Sequence, residues 1–193
     1  MSNPQSIQTR QITLGTWNVR GLASNFKRET LANDCKNYNV DILCIQETKT
    51  KEHWEQTLPS GYKLILLEQK DGSHGGLGFV VGPRLVDHIT GYKYITDRIA
   101  KIDLVIPMRN RTTTNLRIIN AYGPTSERAA RNPSLLHSFY AELSSTLTAP
   151  ARWLTFVCGD FNSKLGKLTT EDIDADLRTC VGSYSVGKRN SNG

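Results

Sequence analysis

At 193 residues the chain is long enough for one sizeable domain and too short for two ordinary ones. Its 38% hydrophobic and 8% aromatic content suits a folded protein and argues against disorder. Apolar runs such as Leu64-Ile65-Leu66-Leu67 fall far short of the ~20 residues that a membrane span needs. A net charge of +6 and a pI near 9.2 favour a polyanionic partner, because basic surface draws in phosphate backbones by releasing counterions.

Residues 1–11 are polar, lack the apolar stretch of a secretory signal and read as a flexible tail ahead of a domain over 12–193. Strand character begins at Gln11–Trp17 and returns in the short apolar run Asp41–Gln46. It recurs at Tyr62–Leu67, Leu77–Val81, Ile99–Ile106, Leu116–Tyr122 and Trp153–Cys158. Turn residues separate these runs, notably Pro59-Ser60-Gly61, Asp71-Gly72, Gly75-Gly76, Gly82-Pro83 and Gly123-Pro124. One helix is predicted from Phe26 to Tyr38, capped by Ser24 or Asn25, with Leu31, Cys35 and Tyr38 on its core face. A second is predicted from Pro133 to Leu147, where Leu135, Leu136, Phe139, Tyr140, Leu143 and Leu147 form one apolar face. The pattern is mixed α/β, two sheets face to face with helices outside. Beyond Gly159 the chain turns polar and rich in Ser, Asn, Asp, Gly and Lys, and reads as loop.

Cysteines at 35, 44, 158 and 180 show no C-x-x-C spacing and no paired histidines, which disfavours a zinc site. Cys44 and Cys158 lie in apolar runs, as small core residues kept reduced in an intracellular compartment.

Four stretches place polar residues where an apolar strand ends: Thr16-Trp17-Asn18-Val19-Arg20-Gly21, Ile45-Gln46-Glu47-Thr48, Asn120-Ala121-Tyr122-Gly123-Pro124-Thr125 and Gly159-Asp160-Phe161-Asn162. Strand ends let a rigid sheet deliver side chains from distant parts of the sequence into one cleft. The residue types suit phosphodiester hydrolysis, in which a cation and neutral donors must offset the phosphate charge that repels hydroxide. Glu47 is a hard oxygen ligand of the kind magnesium prefers. Asp160 is suited to orient or deprotonate water, Asn18 and Asn162 supply amides, and Tyr122 supplies a hydroxyl. Each has a plainer alternative as a solvated loop residue, turn or rim aromatic. Arg98, which could face the active-site floor, and His74, which could touch DNA, are weaker candidates, read rather as an exposed strand-end residue and a solvated turn residue, and Trp17 is expected in the core.

These stretches resemble the endonuclease/exonuclease/phosphatase superfamily, which includes deoxyribonuclease I and the apurinic/apyrimidinic endonucleases. LGTWNVRGL, YNVDILCIQETK, HGGLGFVV, NAYGPT, GDFNSKLGK and the tail VGSYSVGKRNSNG look most similar to endonuclease domains of RTE-like non-LTR retrotransposons. The resemblance implies a four-layer α/β/β/α sandwich of two mixed sheets, α+β in class, and a Mg2+-dependent (or Mn2+-dependent) endonuclease with DNA as substrate. It implies an intracellular location, nuclear in a retrotransposon protein, with no membrane and no obligate protein partner. Asn18 would lie in the active-site hydrogen-bond network and Glu47 would bind the metal, with Asn18 and Asp160 beside it. Tyr122 would touch the scissile phosphate, Asp160 would position the water and Asn162 would stabilise the transition state. The family pattern continues with further strands, an Asp and a Ser-Asp-His motif, whereas His53, His74, His88 and His137 all precede Asp160. The chain is therefore expected to lack the last strands, to leave an apolar face uncovered, and to be less stable and more prone to association than a complete relative. A catalytically inactive truncated remnant that at most binds nucleic acid, and a phosphatase or lipid phosphodiesterase of the same fold, are the competing expectations.

Overall fold

The computed structural model describes residues 11–68, 75–108, 112–148, 150, 152–170, 172, 187–190 and 192. The chain divides into two compact units, Met1–Tyr122 with Glu142–Asp160, and Gly123–Ala141 with Phe161–Gly193.

The first unit holds two mixed sheets. One is ordered β1-β2-β5-β4-β3, from β1 (Leu14–Asn18), β2 (Ile42–Gln46), β3 (Trp54–Thr57), β4 (Lys63–Leu66) and β5 (Leu77–Val81). The other is ordered β6-β7-β8-β9, from β6 (Ile89–Thr96), β7 (Ile99–Pro107), β8 (Thr113–Tyr122) and β9 (Trp153–Asp160). Each sheet contains one parallel pair, β1 with β2 and β8 with β9; the other pairings are antiparallel.

Period-two alternation explains the layering. In β2, Ile42 and Cys44 point toward the second sheet and join Phe79, Val81, Ile102, Leu104, Leu116 and Ile118 in the inter-sheet core. Leu43 and Ile45 point the other way and join Leu64, Leu66 and Val80 beneath helix α1 (Asn25–Asn37). Because β2 and β5 are covered on both faces, every position in them is buried, which is why they read as continuous apolar runs. The Ser24 hydroxyl caps α1 by accepting from the Lys27 N–H at 3.4 Å, and Leu31, Ala32 and Cys35 form its buried face.

The seven predicted strands and both predicted helices are present. β3, β6 and a short helix α2 (Ser126–Arg131) were not anticipated. β3 is polar and four residues long, and β6 carries Gly91 in its middle, so neither gives a strong apolar alternation. Two core assignments are corrected. Trp17 is 50% exposed because it points off the outer face of edge strand β1, and Tyr38 is 77% exposed at the C-cap of α1. On β9, Leu154 and Phe156 share the inward face with Leu116 and Ile118, yet are 54% and 47% exposed. His74, Asp71-Gly72, Cys180 and residues 1–10 lie outside the described residues.

Helix α3 (Pro133–Leu147) begins in the second unit and ends in the first. Of its predicted apolar face, Phe139 and Leu143 are buried, while Tyr140 and Leu147 are 40% and 43% exposed. In the second unit Phe139 meets Phe161 edge-on with ring centroids 6.2 Å apart. Residues 161–169 are irregular, and side chains hold them together. Asn190 donates to the Asn162 carbonyl and the Ser126 hydroxyl, Asn192 donates to the Pro124 carbonyl, and Arg189 clasps Asp172.

Candidate active site

Asn18, Tyr122 and Asp160 are the last residues of β1, β8 and β9, and Glu47 directly follows β2. The two parallel pairs put Asn18 level with Gln46 and Tyr122 level with Asp160, so four strand ends deliver side chains at the same side of the sheets. The Asn18 amide nitrogen donates to Glu47 Oε1 at 2.7 Å and to Asp160 Oδ2 at 3.1 Å. The Tyr122 hydroxyl donates to the same Glu47 Oε1 at 3.1 Å. Carboxylates from two different sheets thus converge on one amide nitrogen. Glu47 sits at φ +55, a left-handed bend that turns its side chain out of the strand direction.

Charge is unevenly balanced here. Lys49 Nζ lies 3.9 Å from Glu47 Oε2 and is 59% exposed, so it screens the carboxylates weakly. Burial, and then the neighbouring negative charge of Glu47, push the Tyr122 phenol up to about 12, so it remains a proton donor at neutral pH. Two carboxylates and an amide oxygen are the hard donors that Mg2+ or Mn2+ prefers. Among the described residues no group of three His, Cys, Asp or Glu gathers, so a cation held here would keep solvent ligands, as Mg2+ does.

Sequence reasoning missed the layer beneath. Gln46 and Asn120 are fully buried. Gln46 Nε2 donates to Asn120 Oδ1 at 2.7 Å, and Asn120 Nδ2 donates to the carbonyls of Ile45 at 3.0 Å and Gly78 at 2.9 Å. This network ties β8 to β2 and β5 across the sheets, one position behind Glu47 and two behind Tyr122. The signal was present: a Gln and an Asn inside otherwise apolar strands, which burial obliges to pair. Arg98 is corrected from an exposed residue to a buried one. It is 5% exposed and donates to the Tyr122 carbonyl at 3.1 Å, with its guanidinium 5.7 Å from the Tyr122 ring centroid. Gly75, at φ +78, lets the backbone lie close against that ring, since a Cβ there would sit 2.8 Å from Tyr122 Cε1. Asn162 belongs to the second unit, where its amide donates to the Gly123 carbonyl at 2.9 Å. Of the described histidines, His53 is engaged elsewhere, with Tyr92 and Glu55.

The two-sheet arrangement with flanking helices matches solved structures. An AP endonuclease from Archaeoglobus fulgidus aligns with a TM-score of 0.55 at 18% identity, over 81% of this chain and 59% of its own. The Xenopus laevis APE2 catalytic domain aligns with a TM-score of 0.56 at 14% identity, over 83% of this chain and 63% of its own. The Leishmania major AP endonuclease LMAP aligns with a TM-score of 0.51 at 18% identity, over 75% of this chain and 53% of its own. This chain therefore spans less than two thirds of the length of each, and at these identities the likeness establishes the fold. No curated protein sequence matches. Residues 15–187 match the Endonuclease/Exonuclease/phosphatase family. The chain belongs to that family.

Proposed function

We propose that this chain is a phosphodiesterase domain that nicks DNA with the help of a divalent cation, and that it derives from an RTE-like non-LTR retrotransposon endonuclease. The observation that carries the catalytic part is the meeting of Glu47 and Asp160 on the Asn18 amide, beside a phenol that keeps its proton. Glu47, with Asn18 and Asp160, would hold Mg2+ (or Mn2+), which when bound supplies neutralisation of the phosphate charge. Asp160 orients the attacking water and accepts its proton, since a carboxylate within hydrogen-bond reach is competent as a general base. Asn18 holds the two carboxylates at a fixed separation without adding charge. Tyr122 transfers its hydroxyl from Glu47 to a phosphate oxygen and donates there. Asn162 keeps a proposed role in stabilising the transition state on the sequence resemblance alone. The basic charge of +6 and the AP endonuclease neighbours support DNA over a phosphomonoester or a lipid headgroup.

A plasmid-nicking assay with Mg2+ tests the proposal, comparing wild type with Glu47→Ala and Asp160→Ala. Loss of nicking in both variants is expected. Undiminished nicking in either would remove that residue from the reaction, and absence of nicking by folded wild type would reject DNA cleavage by this chain. Turnover of a phosphomonoester or phosphoinositide in place of DNA would transfer the same site to the phosphatase alternative.

A further inference from the structure

Beside the carboxylates lies a basic pocket that the proposed reaction does not use. It has a volume of about 340 Å³, and Arg28, Lys49, Lys51, Glu52, His53 and Trp54 line it. Most of these residues come from the loop between β2 and β3, which is fastened to its surroundings. Buried Thr48 and Thr50 pair through their hydroxyls at 3.1 Å, and the Lys49 N–H donates to the Gly75 carbonyl at 2.9 Å. The Leu22 N–H donates to the Thr48 carbonyl at 2.8 Å, which ties the segment before α1 to the same loop.

Arg28 reaches the pocket from the start of α1 and is held there by neutral groups. Its Nε donates to the Leu22 carbonyl at 2.9 Å and its Nη1 donates to Asn25 Oδ1 at 3.3 Å. Its guanidinium lies 4.2 Å from the centre of the Trp54 ring. A ring face and a carbonyl orient a cation without cancelling its charge, whereas Arg84, Arg117 and Arg189 each sit on a carboxylate. Lys49 and Lys51 are exposed, and Glu52 is the one carboxylate among the lining residues, so the pocket carries an excess of positive charge.

Lys49 joins this pocket to the candidate active site. Its Nζ lies 3.9 Å from Glu47 Oε2, so the pocket begins within one lysine side chain of the carboxylates. A nucleic-acid strand carries a phosphate for about every 3.4 Å of helix axis. A strand crossing from Glu47 past Lys49 therefore brings a flanking phosphate to the pocket.

We propose that the pocket binds a phosphate of the DNA strand flanking the one at Glu47. Arg28 supplies the oriented donors, Lys49 and Lys51 supply further charge, and Trp54 positions the guanidinium. This rests on the proposed action on DNA and adds the direction in which the strand leaves the carboxylates. Arg28 and Lys51 grip a part of the strand that does not react, so they set affinity and KM and leave kcat alone.

The test measures binding of a fluorescein-labelled DNA duplex to the full chain without divalent cation, by fluorescence anisotropy across a salt series. Arg28→Gln and Lys51→Gln should each weaken binding about 10-fold, and each should lower the slope of log K against log salt by roughly 0.9, the share of one phosphate contact. Lys51 is exposed, so Lys51→Gln keeps the test valid even where Arg28→Gln disturbs the fold. Lys36→Gln, the same loss of charge in the last turn of α1, should change neither quantity. Trp54→Leu should weaken binding at unchanged slope, and Trp54→Phe should restore it. In the nicking assay Lys51→Gln should raise KM about 10-fold and leave kcat at the wild-type value. Wild-type affinity and slope in both Arg28→Gln and Lys51→Gln would overturn the proposal. So would an equal loss in Lys36→Gln, or a loss seen with phosphoinositide vesicles and not with DNA. Equal affinities for Trp54→Leu and Trp54→Phe would overturn the positioning role of the ring. A chain that nicks nothing yet shows these binding losses rejects the nicking and keeps the pocket; a chain that nicks while its variants bind as wild type does the reverse.

Discussion

Asn120→Leu removes the hub of the buried network while nearly preserving volume. Asn120 donates to Ile45 O and Gly78 O and accepts from Gln46 Nε2, at 3.0, 2.9 and 2.7 Å, with both amide side chains fully buried. Leucine would leave those two carbonyls short of their donor and the Gln46 amide short of its acceptor. A buried polar group left unpaired costs about 1–3 kcal/mol. Gln46 keeps Thr16 Oγ1 as an acceptor at 3.0 Å, so its share is partly relieved. The total expected is about 3–6 kcal/mol, a large part of the roughly 5–15 kcal/mol that holds a domain folded. With an m-value of about 2–3 kcal/mol/M, the urea midpoint should fall by about 1–3 M, followed by far-ultraviolet circular dichroism. Thr90→Val, which removes an exposed bond to the Asp103 carbonyl, serves as the control and should shift it little. The double variant Gln46→Leu with Asn120→Leu should cost less than the two single costs combined, because both singles already lose the bond between them. A stability for Asn120→Leu within about 1 kcal/mol of wild type would refute the claim that this network holds the sheets together behind the site.

Tyr122→Phe should lower nicking by about 10- to 100-fold at unchanged DNA affinity, measured by single-turnover kinetics, because it removes a donor and little packing. The Tyr122 phenol is raised from about 10 to about 12, so its contribution to stability is intact below pH 10 and is lost as pH climbs toward 12. Urea midpoints measured across that window should fall less steeply in Tyr122→Phe; Tyr92, also raised to about 12, carries a similar share. Asp41→Ala should cost about 2–4 kcal/mol by the same denaturation assay, because buried Asp41 accepts from Arg84 and from the Thr13 N–H. Gly75→Ala should reduce nicking and stability together, since the new methyl would press on the Tyr122 ring at a left-handed position. DNA binding by the cleavage-deficient Asp160→Ala chain should weaken steeply with salt in fluorescence anisotropy, and a flat response would argue against phosphate-backbone recognition.

The sequence alone determined the strands whose burial is nearly complete, such as Ile42–Gln46 and Leu77–Val81, because a sheet covered on both faces writes itself as an unbroken apolar run. It also determined the candidate chemistry, since Asn18, Glu47, Tyr122 and Asp160 each stand where such a run stops. Local pattern failed where exposure depends on what lies across the sheet. β3 and β6 carry little alternation and are strands through their partners β4 and β7, and Trp17 is exposed because β1 is an edge. Tertiary structure alone decided which polar residues meet. Nothing local to Arg98 distinguishes a solvated strand end from a buried contact with Tyr122, and nothing near Gln46 names Asn120 as its partner. Burial and hydrogen-bond partners are properties of the packed layers, and the spacing of residues along one strand does not carry them.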